Sequence, residues 1–147
     1  MQLSLHADYA LRVLIYAGAH PDRIVSTKDI SEAYGISRHH LVRVVQTLGA
    51  RGYIKVIPGR AGGISLAMDP SLIRLGEVVR TAEPHLHLAE CFDPKTNTCR
   101  IVPVCRLKPI LAEALNSFVG AMDRYTLADL LAGDARQNLA GIFAILK

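Results

Sequence analysis

The sequence predicts a mostly α-helical chain with one small β-hairpin, an α+β fold. Three patterns point there: apolar residues recurring at helical spacing, a short β-rich run with a glycine-rich turn, and a long amphipathic stripe near the carboxyl end. At 147 residues the chain fits one domain, or a small domain with an appended element, and its 50% hydrophobic content can supply a core.

The first helix is expected from about Ser4 to Gly18. Leu5, Tyr9, Val13 and Tyr16 recur there alongside Ala10, Leu14 and Ala17, and Gly18 reads as its end. In STKDISEAYG, Ser26 is the expected N-cap with Asp29 three residues on, Ile30 and Ala33 form the buried face, and Gly35 stops the helix. In ISRHHLVRVVQTLGARG, Ser37 is expected to cap a helix buried through Leu41, Val44, Val45 and Leu48 and ending near Gly52. Two helices joined by a short turn containing glycine form the helix-turn-helix pattern.

The next segment, YIKVIPGRAGGISLAM, reads as a hairpin: Tyr53 to Ile57, the turn PGRAGG, and a return over Ile64 to Leu66. Glycines around Arg60 leave one charged side chain on a thin loop, the pattern of a wing. SLIRLGEVVRTAEP predicts a short helix buried through Leu75, Val78 and Val79 and ending before Pro84. Further on, Leu107, Ile110, Leu111, Ala114, Leu115, Phe118, Val119 and Met122 make the long stripe, expected to pair with its copy in a homodimer. TLADLL adds a turn or two of helix, and NLAGIFAILK is expected to be an apolar tail of uncertain order. The expected division is therefore a winged helix-turn-helix over 1–82, a cysteine-rich loop over 83–105, and a dimerisation helix with tail over 106–147.

Charge is distributed unevenly. The net charge is +4, yet from Ala33 to Met68 there is no Asp or Glu, while Arg38, Arg43, Arg51, Lys55 and Arg60 all fall there. Such a window attracts a polyanion, and with the helix-turn-helix it points to double-stranded DNA. A recognition helix reads the major groove with its first residues, here Ser37, Arg38, His39, His40 and Arg43. Arg38 suits guanine O6 and N7, and Arg60 suits a narrow minor groove. Ser26, Thr27 and Lys28 suit the phosphate backbone.

Apolar runs such as VLIYAGA from Val13 are too short to span a bilayer, and MQLSLHADYALR lacks the basic region of an export signal, so a cytoplasmic location is expected. All three cysteines fall in CFDPKTNTCRIVPVC, spaced C-x7-C-x5-C. In a reducing compartment they point to metal or redox chemistry before disulfides. Zinc held by Cys91, Cys99, Cys105 and a histidine, His85 or His87, is one reading, though structural zinc usually shows a tight C-x2-C knuckle, absent here. Enzymatic use of a cluster is disfavoured: there is no C-x3-C-x2-C signature, no dinucleotide-binding glycine run and no nucleophile with a partnered base.

MQLSLHADYALR, PGRAGG, IRLGEVVR, the three cysteines, and CRLKPILAEAL leading to YTLADL together resemble the iron-sulfur winged-helix regulators of the NsrR and IscR type. The resemblance runs to about Leu131 and is nearer the NsrR side, whose members are repressors that sense nitric oxide. It implies a homodimeric transcriptional repressor, not an enzyme, that binds a palindromic operator. It also implies an iron-sulfur cluster on Cys91, Cys99 and Cys105, 4Fe–4S favoured and 2Fe–2S possible. On the NsrR side the remaining ligand is an aspartate from the first helix of the partner subunit, and the matching residue is Asp8. On the IscR side it is a histidine three residues after the last cysteine, where this chain has Lys108. The spacing between Cys91 and Cys99 is longer than the pattern, through PKTNT. Within the chain itself, Asp8 also stands at ion-pair spacing from Arg12. The alternative signals, cluster or iron supply and redox status, follow from the same resemblance.

Overall fold

The computed structural model describes residues 2–146; Met1 and Lys147, the outer limits of the expected division, lie outside the described residues. Helix α1 spans Leu5–Ala19, and the Ser4 side chain caps it by accepting from the Ala7 N–H at 3.1 Å. The Ser4 N–H in turn donates to Glu83 Oε1 at 2.8 Å, tying the start of the chain to residues far along it. Ala7, Ala10, Val13, Leu14 and Tyr16 are essentially inaccessible to solvent, so α1 is the spine of the core.

Helices α2 (Thr27–Tyr34) and α3 (Arg38–Ala50) form the helix-turn-helix. Ser26 and Asp29 make the expected reciprocal cap, each side chain accepting from the other's backbone N–H at 3.1 Å. Gly35 ends α2 in the left-handed region, φ +66°, where a side chain would be strained. Strands β1 (Ile54–Ile57) and β2 (Gly63–Leu66) pair antiparallel, Ile54 opposite Leu66 and Ile57 opposite Gly63. Val25 and Ile64 exchange backbone hydrogen bonds of 3.0 and 2.8 Å, which anchors the wing to the residue before the Ser26 cap of α2.

Helix α4 (Leu75–Ala82) buries Val78 and Val79 as expected. Two single 3-10 turns, Glu90–Phe92 and Val102–Val104, interrupt the loop that follows. Helix α5 (Leu107–Asp123) carries the long stripe, yet only Val119 of it is buried in the single chain. Helices α6 (Leu127–Leu130) and α7 (Ala135–Ile145) then return to the core. Asp123 at the end of α5 makes a forked ion pair with Arg80 of α4, at 2.7 and 3.0 Å. Leu75 and Leu127 complete the junction by donating backbone N–H groups to the carbonyls of Tyr125 and Ile73.

Two expectations are corrected here. Gly18 does not end α1, which continues through Ala19; it is a close-approach site, because a Cβ there would collide with the Leu131 side chain. The carboxyl-terminal segment, expected to be of uncertain order, is helix α7. Its Phe143 is 3% exposed and packs on Tyr16, Tyr34 and His20, with ring centroids 4.7, 5.2 and 6.0 Å away. Phe143 is the buried anchor of α7, and Leu139 of the same helix packs partly buried against the core beside it.

Phe143→Ala is therefore expected to lower stability by about 3 kcal/mol in urea unfolding, the usual size for emptying a buried Phe site. The Arg80 fork holds the Asp123 carboxyl below the ordinary Asp range. A depressed pKa contributes stability that is present above the unfolded-state value and lost as pH falls through the folded one. Urea midpoints measured against pH should consequently fall less steeply on the acid side in Asp123→Asn than in the native chain.

Candidate nucleic-acid interface and cysteine loop

Helix α3 is buried on one side through Leu41, Val44, Val45 and Leu48, and its other side is exposed. Ser37, Arg38, His39, His40 and Arg43 all lie in that exposed part. Ser37 does not cap α3 with its side chain, contrary to expectation. Ser37 Oγ accepts no hydrogen bond from the helix, so the first N–H groups of α3 have no side-chain partner from Ser37. That leaves the helix start suited to accept a phosphate oxygen.

The remaining basic and polar residues differ in availability. Arg60 is exposed in the loop joining β1 and β2, where Gly59 has φ +104° and a Cβ on Gly62 would strike the Ile57 carbonyl. Ser26 is occupied as the α2 cap, its side chain and its backbone N–H both bonded to Asp29, and Thr27 beside it is partly exposed. Lys28 is exposed and pairs loosely with Glu32 at 3.7 Å. His40 sits 6.1 Å from the Tyr9 ring of α1 and, with Leu5, His6 and Arg43, lines a cavity of about 210 Å³ between the helices. Sequence reasoning missed two exposed α3 residues, Val42 and Gln46, although their spacing of four and eight from Arg38 puts them on its face.

Helix α1 touches helix α3 directly. His6 Nε2 is hydrogen-bonded to Thr47 Oγ1 at 3.0 Å, and Thr47 in turn donates to the Arg43 carbonyl at 3.1 Å. Two residues beyond His6, and so on a different side of α1, Asp8 is partly exposed and pairs with Arg12 at 2.9 Å. The Arg12 guanidinium also lies 5.6 Å from the Tyr34 ring of α2 and 6.0 Å from that of Tyr9. Burial pushes the Tyr34 phenol up to about 12, against the opposing pull of Arg12, so it stays neutral at physiological pH.

The three cysteines are free and half-buried. Cys91 lies in the first 3-10 turn of the loop, and Cys105 closes the second. The long first spacing is taken up by a turn built on Asp93. Its carboxylate accepts from the Lys95 N–H at 2.9 Å, and its carbonyl from the Asn97 N–H at 3.0 Å. The Lys95 N–H holds the Asp93 carboxyl below the ordinary range. Cys99 follows this turn, its N–H donating to Asn97 Oδ1 at 3.0 Å.

Among the described residues, no three His, Cys, Asp or Glu side chains stand close enough together to hold a metal ion within one chain. His85 and His87 stack on each other with centroids 4.7 Å apart, beside an apolar depression lined by Leu86, Leu115 and Phe118. The donor set nevertheless suits iron: three thiols free of disulfides, on a loop held by its own short turns instead of by the core. No helix among the described residues is long and apolar enough to cross a membrane.

Comparison with known proteins agrees with this architecture. The profile of the Rrf2 family, described as "Iron-dependent Transcriptional regulator", matches residues 3–133. The chain is 45% identical over 148 residues to the "HTH-type transcriptional regulator NsrR" of Bacillus subtilis (strain 168), covering 100% of this chain and 98% of that protein. It is 50% identical to the protein of the same name from Geobacillus kaustophilus, covering 100% and 97%. Among solved structures, T. potens IscR superposes with a TM-score of 0.70 at 25% identity, over 89% of this chain and 86% of that one. Staphylococcus aureus CymR in its oxidized form shares the fold, with a TM-score of 0.71 at 22% identity over 90% and 98%. Its profile match and its full-length identity to these regulators establish that the chain belongs to the Rrf2 family of DNA-binding transcriptional regulators, which are not enzymes.

Proposed function

We propose that the chain is a homodimeric repressor of the NsrR type, which binds a palindromic operator while it holds an iron-sulfur cluster and releases the DNA when nitric oxide modifies that cluster. Cys91, Cys99 and Cys105 supply three ligands, and Asp8 of a second copy supplies the fourth. The observation that carries this reading is the pairing of three free thiols on a loop outside the core with a partly exposed carboxylate on the helix that touches the reading helix. When bound, the cluster supplies an iron that a small diatomic molecule can attack, most readily where a hard oxygen ligand is weaker than thiolate.

The chain's own residues do the rest. The exposed Leu107 and Ile110 of α5 belong to the apolar stripe that pairs two copies. Arg12 holds the Asp8 carboxylate whenever it is not a ligand, so the aspartate exchanges one partner for another and is never left uncompensated. A change in the position of α1 passes to α3 through His6 and Thr47 and through the Tyr9–His40 contact. Two α3 helices must sit one helical turn of DNA apart to enter successive half-sites, and a small displacement in each is enough to spoil that spacing. Arg38 and Arg43 face the groove and Arg60 the flanking backbone or minor groove. A 4Fe–4S cluster is favoured and a 2Fe–2S cluster is the alternative, in the reducing cytoplasm in either case.

Anaerobically purified protein should be coloured, with iron and sulfide in proportion, and should lose its visible absorption on titration with nitric oxide as operator binding falls. Cys99→Ser is expected to be colourless and insensitive; a colourless wild type containing zinc would replace this reading with a zinc-stabilised module. Asp8→Ala with a normal cluster and unchanged release by nitric oxide would overturn the role of Asp8. Arg60→Ala should weaken binding and reduce the salt slope by about 1, uniformly across duplexes where Arg60 meets the backbone and most for A/T-rich flanks where it enters a narrow minor groove.

A further inference from the structure

The exposed face of α3 is not uniformly polar. Val42 is 48% exposed, whereas Leu41 and Val44 beside it are fully buried, so it belongs to the outer face and not to the core. On that face it lies one turn beyond Arg38 and one turn before Gln46, both exposed. A helix rises 1.5 Å per residue, so successive members of this row stand about 6 Å apart. Base pairs are stacked about 3.4 Å apart, and the row therefore addresses positions about two base pairs apart along the groove.

We infer that Val42 is a specificity-determining residue that reads the C5-methyl group of thymine in the operator half-site. The inference rests on α3 being the reading helix. Of the four base edges in the major groove, thymine alone presents a methyl group, and an apolar side chain is the group that recognises it. Val42 has no hydrogen-bonding atoms, so it cannot engage a guanine or adenine edge. Arg38 and Gln46 on either side carry the forks that suit guanine and adenine respectively. A Val between them fits a row in which polar readout brackets one apolar contact. Contact between Val42 and the methyl group excludes water from both and favours thymine over cytosine without any new hydrogen bond.

The test uses the anaerobically purified full chain. Duplexes are first selected from a randomised palindromic library, and each thymine of the selected half-site is then replaced by deoxyuridine, which removes only the methyl group. One thymine per half-site is expected to be sensitive, with binding about fourfold weaker when replaced in one half-site and roughly fifteenfold when replaced in both, the size expected for one methyl group left unburied. The same replacement should leave Val42→Ala unaffected, while that variant binds the thymine duplex more weakly by a similar factor. A selected half-site without thymine, no sensitive thymine, or equal sensitivity in Val42→Ala would overturn the inference. Arg43→Ala separates the two levels: if it leaves binding unchanged, α3 is not the reading helix and both readings fall; if it weakens binding while deoxyuridine does nothing, only the role of Val42 falls.

Discussion

Almost every part of this fold depends on the burial of α1. Its small residues, Ala7, Ala10, Ala17 and Gly18, let neighbouring elements approach closely, and Tyr16 fills the space they leave. Helices α3, α4, α6 and α7 and strand β2 all pack on it. The helix-turn-helix, the wing and the carboxyl-terminal helices consequently share one core and cannot reorient independently. The Asp8–Arg12 side of α1 keeps a polar surface, and Asp8 stands two residues from His6, whose ring is hydrogen-bonded to Thr47 of α3. A force applied to Asp8 acts on a rigid body that includes α3.

The cysteine loop is built by the opposite logic. Its turns at Asp93 and around Val102 are closed by local hydrogen bonds, and none of its cysteines is part of the core. Local turns cost little to rearrange compared with a packed core. A preformed reading head joined to an adaptable ligand loop suits a regulator in which the cluster, and not the polypeptide, holds the sensing part together. The exposed apolar residues Leu107 and Ile110 of α5 follow the loop directly.

Local chemistry made most of this legible in the sequence. The Ser26–Asp29 box, the left-handed Gly35 and Gly59 before Arg60 each specify a backbone conformation by themselves, and each stands where expected, whereas Gly62 and Gly63 are glycines because backbone approaches them closely. Gly18 was misleading because the same residue that ends a helix also permits close packing, and the partner that decides between them, Leu131, lies over a hundred residues away in the chain. Helix α7 was obscured by Gly141 and by the lack of a regular stripe, since its docking depends on Phe143 meeting Tyr16 and Tyr34. Ser37 stands at the N-cap position of α3 as its type suggests, yet its side chain makes no capping hydrogen bond, and nothing in the structure explains why. The thiols were plain from their clustering, but among the described residues they do not come together with a further ligand within one chain.

The central claim is that the site is completed across the dimer, and mixed dimers test it directly. A heterodimer of one Asp8→Ala chain and one Cys99→Ser chain, purified anaerobically through two different tags, has intact cysteines only in the Asp8→Ala chain. If Asp8 is donated by the partner, those cysteines meet a native aspartate. The one remaining cluster should then show the wild-type spectrum and the wild-type response to nitric oxide, at half the wild-type iron content. A spectrum and response like those of the Asp8→Ala homodimer would contradict the account, because the aspartate would then belong to the same chain as the thiols.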